Sequence, residues 1–204
     1  MRANPIADML EIRLDGMKSF RLEDMLETAS KPVIVTYRSK KEGGKGSAEY
    51  RTLTRYLLDA IEAGAQFVDV EFSMPLEYRE RIFKGRDTAR IILSSHLLNG
   101  TPGQEKLEDM LEKMAARGAD IVKIVTRARA MEDNLRVLNL IPMAQRLGIK
   151  IIIFCMGPMG RISRIASPLL GGYLTFASLA EGEESAEGQI PIFEMKKILG
   201  QLSS

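Results

Sequence analysis

Several residue types are scarce in this chain, and each scarcity excludes a class of protein. A single cysteine, Cys155, excludes a disulfide framework within the chain and fits a reducing compartment such as the cytoplasm. No apolar run approaches the roughly 20 residues that span a bilayer, so no membrane association is expected. The net charge of +2 is too small to indicate nucleic acid as a partner. With 45% hydrophobic residues, residues 1–204 are predicted to form one domain around a sizeable core.

The chain does contain a regular alternation of short apolar runs with amphipathic segments. Seven strand candidates span residues 9–15, 32–38, 66–72, 90–96, 120–126, 150–156 and 172–178. Apolar residues at helical spacing fall between them, at Leu107, Met110, Leu111 and Met114 and again at Leu135, Leu138, Ile141 and Leu147. Strands that alternate with helices, at roughly 25–30 residues per unit, predict a parallel sheet wrapped by helices.

A doubly wound sheet and a closed (β/α)8 barrel both fit this alternation, and polar residues inside the strands help to separate them. Glu11, Arg13 and Asp15 alternate along the first strand candidate and so share one face. Four more polar residues each lie in, or at the C-terminal end of, a different strand: Arg38, Asp69, His96 and Lys123. In a barrel such residues converge on one mouth, whereas a doubly wound sheet would spread them out. The sequence therefore predicts an α/β fold of the TIM-barrel family.

Lys123 is the least expected residue in its segment, "ADIVKIVTRA", whose other central positions are β-branched and apolar. Burial in such a strand disfavours the charged ammonium. A neutral amine is a nucleophile that condenses with a ketone or an aldehyde to form a Schiff base. The structural alternative is a lysine that extends to the barrel mouth or pairs with Glu11 or Asp69.

Three further residues add proton-transfer and anion-binding chemistry, and each has an ordinary structural interpretation beside the functional one. His96, the only histidine, ends a strand candidate and is suited to general acid–base work, although a lone histidine is more often structural. Glu42 lies in a glycine-rich loop that lacks the Walker spacing, where it could orient the imidazole or merely belong to a solvated connection. Arg164 could hold a substrate carboxylate in a bidentate fork, or be a surface helix arginine.

Taken together, these residues lie in segments that closely resemble type I 3-dehydroquinate dehydratases, the Schiff-base dehydratases of the shikimate pathway. Eight collinear segments carry the resemblance: "EIRLD", "TYRSKKEGG", "VDVEF", "ILSSH…TP", "ADIVKI", "MGPMGRISR", "LTFAS" and "SAEGQIP". The resemblance implies an enzyme with a small-molecule substrate, which dehydrates 3-dehydroquinate to 3-dehydroshikimate. It implies that neither a metal nor an organic cofactor is needed.

The resemblance also implies a role for each matching residue. Lys123 matches the Schiff-base lysine, His96 the general acid–base group, and Glu42 the glutamate that positions the histidine. The substrate-binding positions are matched by Glu11, Arg13 and Arg38 for the hydroxyls, Arg164 for the carboxylate, Met156 and Phe176 for the pocket walls, and Ser185 and Gln189 for the closing loop. Asp69 matches an aspartate with a supporting electrostatic role. The polar stretch at 181–188 is then expected to be a lid.

Two departures from the family pattern keep other interpretations open. Glu187 stands where the family usually has proline, and the family's first strand and helix are expected to be missing before "EIRLD". Such a barrel would be open, or filled by another chain, or continued by residues upstream. A lysine-dependent aldolase on the same barrel and a non-catalytic remnant of the dehydratase remain alternatives, and the sequence leaves room for a homodimer.

Overall fold

The computed structural model describes residues 2–203, which form two compact units, one ending at Ser95 and the other beginning at His96. In chain order the strands are β1 (Leu10–Arg13), β2 (Val33–Thr36), β3 (Phe67–Glu71), β4 (Arg90–Leu97), β5 (Ile121–Arg127) and β6 (Lys150–Met156). The helices are α1 (Leu22–Glu27), α2 (Tyr50–Glu62), α3 (Leu76–Lys84), α4 (Gln104–Ala115), α5 (Glu132–Leu138), α6 (Leu140–Arg146), α7 (Arg161–Leu169) and α8 (Ile192–Leu202).

The first unit is a set of parallel strands in sequence order. Strand β1 pairs with β2, β2 with β3, and β3 with β4, in each case parallel. Strands β2 and β3 are buried at every position, which explains why they are apolar at most positions rather than alternating. Helix α2 is strongly amphipathic and buries Leu53, Leu57 and Ile61. Asp69 and Glu71 are the exceptions in β3, and both are buried.

The second unit is built around the parallel pair of β5 and β6. Their register places Lys123 opposite Ile152, and Arg127 opposite Met156. Both strands are rich in β-branched residues and almost completely buried, as the sequence predicts. Helix α4 buries Leu107, Leu111 and Met114, which confirms the helical face predicted there, although Met110 is only half-buried.

Two predicted elements differ from the structure. Residues 172–178 do not form a strand, so six strands rather than seven occur between residues 2 and 203. This segment makes isolated backbone hydrogen bonds, such as that from the Tyr173 N–H to the Ile151 carbonyl. A β-ladder needs a series of consecutive hydrogen bonds between two strands. The helical face predicted at Leu135, Leu138, Ile141 and Leu147 is wrong in part, because Leu135 and Leu147 are exposed. Ile141 is buried as predicted, and Val137, Leu140 and Ala144 are buried with it.

The start of the chain's strand pattern also differs slightly. Strand β1 ends at Arg13, and Asp15 lies in a 3-10 turn at Leu14–Gly16 rather than on the strand face.

None of the helices formed by residues 2–203 has the length and apolar character that crossing a bilayer requires.

Candidate active site

A buried arginine, Arg38, is the centre of the polar network in the first unit. One terminal nitrogen, Nη1, donates to Glu42 Oε2 at 3.1 Å, to Glu71 Oε1 at 3.0 Å and to Ser94 Oγ at 3.0 Å. The other, Nη2, donates to Asp69 Oδ1 at 2.7 Å. The Ser94 hydroxyl in turn donates to Asp69 Oδ1 at 2.5 Å. The structure therefore brings together Arg38, Glu42 and Asp69, three of the residues that the sequence singles out.

The charges of this network are unequal, with three carboxyl groups around one guanidinium. Burial lowers the pKa of Arg38, but attraction to Asp69, Glu42 and Glu71 outweighs it, and the net shift is upward. Burial raises the pKa of Glu42 to about 7, because attraction to Arg38 does not fully offset the lost hydration and the repulsion from Glu71. Arg38 thus stays charged, while Glu42 exchanges a proton near neutral pH.

The backbone around Glu42 fixes its carboxyl group in place. Glu42 ends a 3-10 turn at Lys40–Glu42, and Gly43 follows with a positive φ of 83°. A Cβ at Gly44 would lie 2.1 Å from the Arg38 carbonyl oxygen, so the loop needs glycine there to fold back on Arg38. The Ser73 hydroxyl donates to Glu42 Oε1 at 2.6 Å. Loop and hydroxyl together hold Glu42 over the network.

Glu11 and Arg13, on β1, lie beside this network and are only partly buried. Arg13 donates two hydrogen bonds to Asp15, from Nε at 2.7 Å and from Nη2 at 2.9 Å. Asp15 also accepts from the backbone N–H groups of Arg38 and Lys45. Burial raises the pKa of Asp15, but these hydrogen bonds outweigh it and the pKa is lowered. Glu11 Oε1 accepts from the Thr36 hydroxyl at 2.9 Å.

Lys123 lies at the middle of β5 in the second unit and is only 4% exposed. Its Nζ lies 4.3 Å from the centre of the Phe176 ring. Phe176 belongs to the irregular segment that the sequence analysis assigned to a strand, and it is half-buried. The structure therefore places the predicted Schiff-base lysine directly against a predicted pocket wall.

Arg164, in α7, is buried in the second unit rather than lying on the surface. Its guanidinium lies 4.4 Å from the centre of the Phe154 ring, and Nη2 donates to the Glu187 carbonyl oxygen at 3.2 Å. Its Nε has no hydrogen-bond acceptor among the residues that the structure describes. Burial lowers the pKa of Arg164 to about 10. A buried guanidinium with an unused donor is suited to binding an anionic ligand group.

Two aromatic rings, Phe154 and Phe176, lie between Lys123 and Arg164. The rings of Phe154 and Phe176 are 6.1 Å apart and inclined at 63°, an edge-to-face contact. Lys123 lies on one ring of the pair and Arg164 on the other. The sequence analysis missed Phe154, although it lies two residues before Met156 in β6 and thus on the same face.

The predicted lid residues form a small network of their own. Gln189 Oε1 accepts from the backbone N–H groups of Ser185, at 2.7 Å, and Ala186, at 3.3 Å. The Ser185 hydroxyl lies 3.3 Å from the same oxygen. Gln189 is buried, whereas Ser185 is exposed. Residues 185–189 therefore form a turn that the Gln189 side chain organises.

The remaining predicted residues are placed individually. His96 is the next-to-last residue of β4 and is half-buried, and Met156 is buried at the end of β6. The sequence analysis missed Glu71, Ser73 and Ser94 in the first unit. The alternation of β3 could have revealed Glu71, because it shares a face with Asp69. Within residues 2–203, no group of three or more His, Cys, Asp or Glu side chains is arranged to hold a metal ion.

Comparison with known proteins assigns the chain to a family. Residues 2–204 match the protein family described as Type I 3-dehydroquinase. The chain belongs to the type I 3-dehydroquinase family. It is 37% identical to the 3-dehydroquinate dehydratase of Syntrophobacter fumaroxidans, an alignment that covers 96% of this chain and 86% of that protein. It is also 37% identical to the 3-dehydroquinate dehydratase of Pyrococcus abyssi, over 96% of this chain and 89% of that one.

Solved structures of type I 3-dehydroquinases support the same assignment. The enzyme from Clostridium difficile, solved with covalently modified comenic acid, has a TM-score of 0.85 and 27% identity to this chain. That similarity covers 96% of this chain and 81% of the Clostridium chain. The predicted α/β fold of the TIM-barrel family is therefore confirmed.

Proposed function

We propose that this chain dehydrates 3-dehydroquinate to 3-dehydroshikimate in the shikimate pathway, through a Schiff base on Lys123. Membership of the type I 3-dehydroquinase family supports the reaction, a hydro-lyase step. The observation that carries the role of Lys123 is its burial in β5 against Phe176, which keeps bulk water from the amine. An amine shielded in this way is a good nucleophile whenever it is neutral.

The proposed reaction begins at the C3 ketone of the substrate. The Lys123 amine adds to C3 and water leaves, which gives an iminium ion that withdraws electrons from C2. His96 removes a proton from C2 and then protonates the C1 hydroxyl, which departs as water when the C1–O bond breaks. Hydrolysis of the iminium frees Lys123 and releases the product. One histidine thus serves as base and then as acid, a double role for which the imidazole side chain is suited.

Arg164 is proposed to bind the substrate carboxylate. Its Nε is a buried donor without an acceptor among the described residues. Its guanidinium lies on Phe154, and Phe154 contacts Phe176, the ring on which Lys123 lies. Met156 and Phe176 are proposed to wall the pocket, while Ser185 and Gln189 act from the lid. These roles make Lys123 the covalent group and Arg164 the anchor of the anion.

The first unit is proposed to supply the polar groups for the substrate hydroxyls and for His96. Glu11 and Arg13 are partly exposed and therefore accessible to a ligand. Arg38 is saturated by carboxylates, so its contribution is proposed to be a fixed positive charge at the mouth, with Asp69 as its support. Glu42, held by Ser73, is proposed to orient His96. In this scheme residues 1–204 work as one catalytic domain.

Substitution of Lys123 tests the proposed function. Lys123→Met is expected to lower the rate of formation of the ultraviolet-absorbing enone product by about a thousandfold or more, because the covalent route is lost. Lys150→Met is the matched control, since Lys150 also lies on an aromatic ring, that of Tyr173, at 4.8 Å, but is exposed. Undiminished dehydration by Lys123→Met would contradict the proposal.

We further propose a cytoplasmic homodimer that takes no cofactor. Ile162 and Leu169 are seven residues apart on one face of α7, and both are exposed, as are the adjacent Met159 and Leu170. An apolar helix face of this kind is typical of an interface between subunits. Sedimentation velocity is expected to show a dimer that Ile162→Glu converts to a monomer, and a monomeric parent chain would contradict this part of the proposal.

A further inference from the structure

One residue of the proposed lid, Glu187, contacts β5, α7 and the loop after β6, all in the second unit. Its carboxylate forms an ion pair with Arg127, with Oε2 2.7 Å from Nη2. Its carbonyl oxygen accepts from the Gly157 N–H and from Arg164 Nη2, both at 3.2 Å. Arg127 is the last residue of β5, Gly157 follows β6, and Arg164 is in α7. Glu187 therefore links the proposed lid to the end of β5, to the loop after β6 and to α7, by one ion pair and two hydrogen bonds.

The adjacent residue, Gly188, shows how closely the lid approaches this point. Gly188 has a positive φ of 83°, and a Cβ built on it would lie 2.5 Å from the Gly157 carbonyl oxygen. The lid backbone thus packs directly on the backbone of the loop after β6. A small separation of the two would break the Glu187 carbonyl contacts, because hydrogen bonds weaken steeply with distance.

From this geometry we infer that the Glu187–Arg127 ion pair is a latch that holds the lid closed over the substrate. Both are positioning residues: the latch acts on the lid and on Arg164 and takes no part in the chemistry. The ion pair also neutralises a carboxylate that would otherwise repel an anionic substrate. The inference rests on the proposed function for the identity of that substrate.

The latch and simple charge repulsion predict opposite results for Glu187→Gln. If the carboxylate acted only as a negative charge near an anionic substrate, its removal would lower KM. If it is a latch, its removal opens the lid, and KM for 3-dehydroquinate rises about two- to fivefold, as expected for a partly exposed ion pair. The value of kcat should stay within about twofold, because no reacting group is lost.

A matched set of variants completes the test. Glu181→Gln removes the same charge from the same loop without touching Arg127, and its KM should stay unchanged. Arg127→Gln should match Glu187→Gln, and the charge-swapped variant, Arg127→Glu with Glu187→Arg, should recover most of the lost affinity. A fall in KM for Glu187→Gln, or equal effects in Glu187→Gln and Glu181→Gln, would overturn the latch.

Hydrogen exchange tests the latch without reference to activity. The backbone amides of residues 181–188 in the free protein should exchange about two- to fivefold faster in Glu187→Gln than in Glu181→Gln. Equal exchange in both variants would overturn the latch even in an active enzyme. Faster exchange in a chain that fails to dehydrate 3-dehydroquinate would retain the latch and contradict the proposed function instead.

Discussion

At the scale of single residues, burial decides which polar groups carry unusual chemistry. Arg38 and Arg164 are both buried arginines, yet their surroundings differ completely. Arg38 is surrounded by three carboxylates and has its pKa raised, whereas Arg164 lies on an aromatic ring and has its pKa lowered. The first therefore has a structural role, and the second has a buried donor, Nε, that suits the anion-binding role proposed for it.

Glu42 provides a prediction about stability against pH. The folded protein keeps the Glu42 proton up to about pH 7, whereas a glutamate in the unfolded chain loses its proton near pH 4.5. The folded state therefore binds more protons in this interval, and the Glu42 contribution to the free energy of unfolding falls as pH rises. That contribution is on the order of 3 kcal/mol between the two ends.

Replacement of Glu42 by glutamine isolates this contribution. Glu42→Gln is expected to gain stability relative to the parent chain as pH rises from 4.5 to 7, measured by urea unfolding across that range. Ser73→Ala is a useful companion, because it removes the hydrogen bond to Glu42 while keeping the carboxyl group. A constant difference in stability between Glu42→Gln and the parent chain would show that Glu42 ionises normally.

At the scale of elements, the loop at 181–188, which is the proposed lid, packs on the loop after β6 through one close approach of two backbones. Gly188 and Gly182 both have positive φ, at 83° and 81°. A Cβ at Gly188 would overlap the Gly157 carbonyl, whereas a Cβ at Gly182 would meet nothing within 4 Å. Comparison of the two positions therefore separates backbone strain from steric displacement of the lid.

The corresponding alanine variants should differ in substrate affinity. Gly182→Ala carries only the strain of a left-handed alanine, about 1–2 kcal/mol, in an exposed turn. Gly188→Ala adds a clash that moves the lid off Gly157, and we expect its KM to rise at least about tenfold more than that of Gly182→Ala. Steady-state kinetics of both variants would reveal this difference, and similar KM values would mean that the lid does not need this contact.

Elements with a clear hydrophobic pattern were predicted from the sequence, whereas elements whose structure depends on tertiary contacts were not. Strands β5 and β6 are recognisable because continuous β-branched runs suit a buried parallel pair. Residues 172–178 contain the strand-favouring residues Tyr173, Thr175 and Phe176, yet they form no ladder, and composition alone does not show whether a partner strand is available. Leu135 and Leu147 were assigned to the wrong face because Asn139 separates α5 from α6, which shifts the phase of the helical pattern.

At the scale of the whole molecule, the sequence analysis found more of the fold and the candidate site than of the contacts that support the site. Positions in strands and in a glycine-rich loop singled out Lys123, Arg38 and Glu42, and the structure shows why Arg38 and Glu42 are buried together. Phe154 and Glu71 were missed although each shares a strand face with a residue that was found, Met156 in β6 and Asp69 in β3. Their importance comes from neighbours that are distant in sequence.

The central claim is that Lys123 forms the covalent intermediate, and chemical trapping tests it most directly. The protein is incubated with 3-dehydroquinate and borohydride, which reduces an iminium to a stable amine, and the adduct is mapped by mass spectrometry of peptides. A Schiff base on Lys123 gives one adduct, on the peptide that carries Lys123, and none in Lys123→Met. An adduct on another lysine, or continued turnover with no inactivation by borohydride, would contradict it.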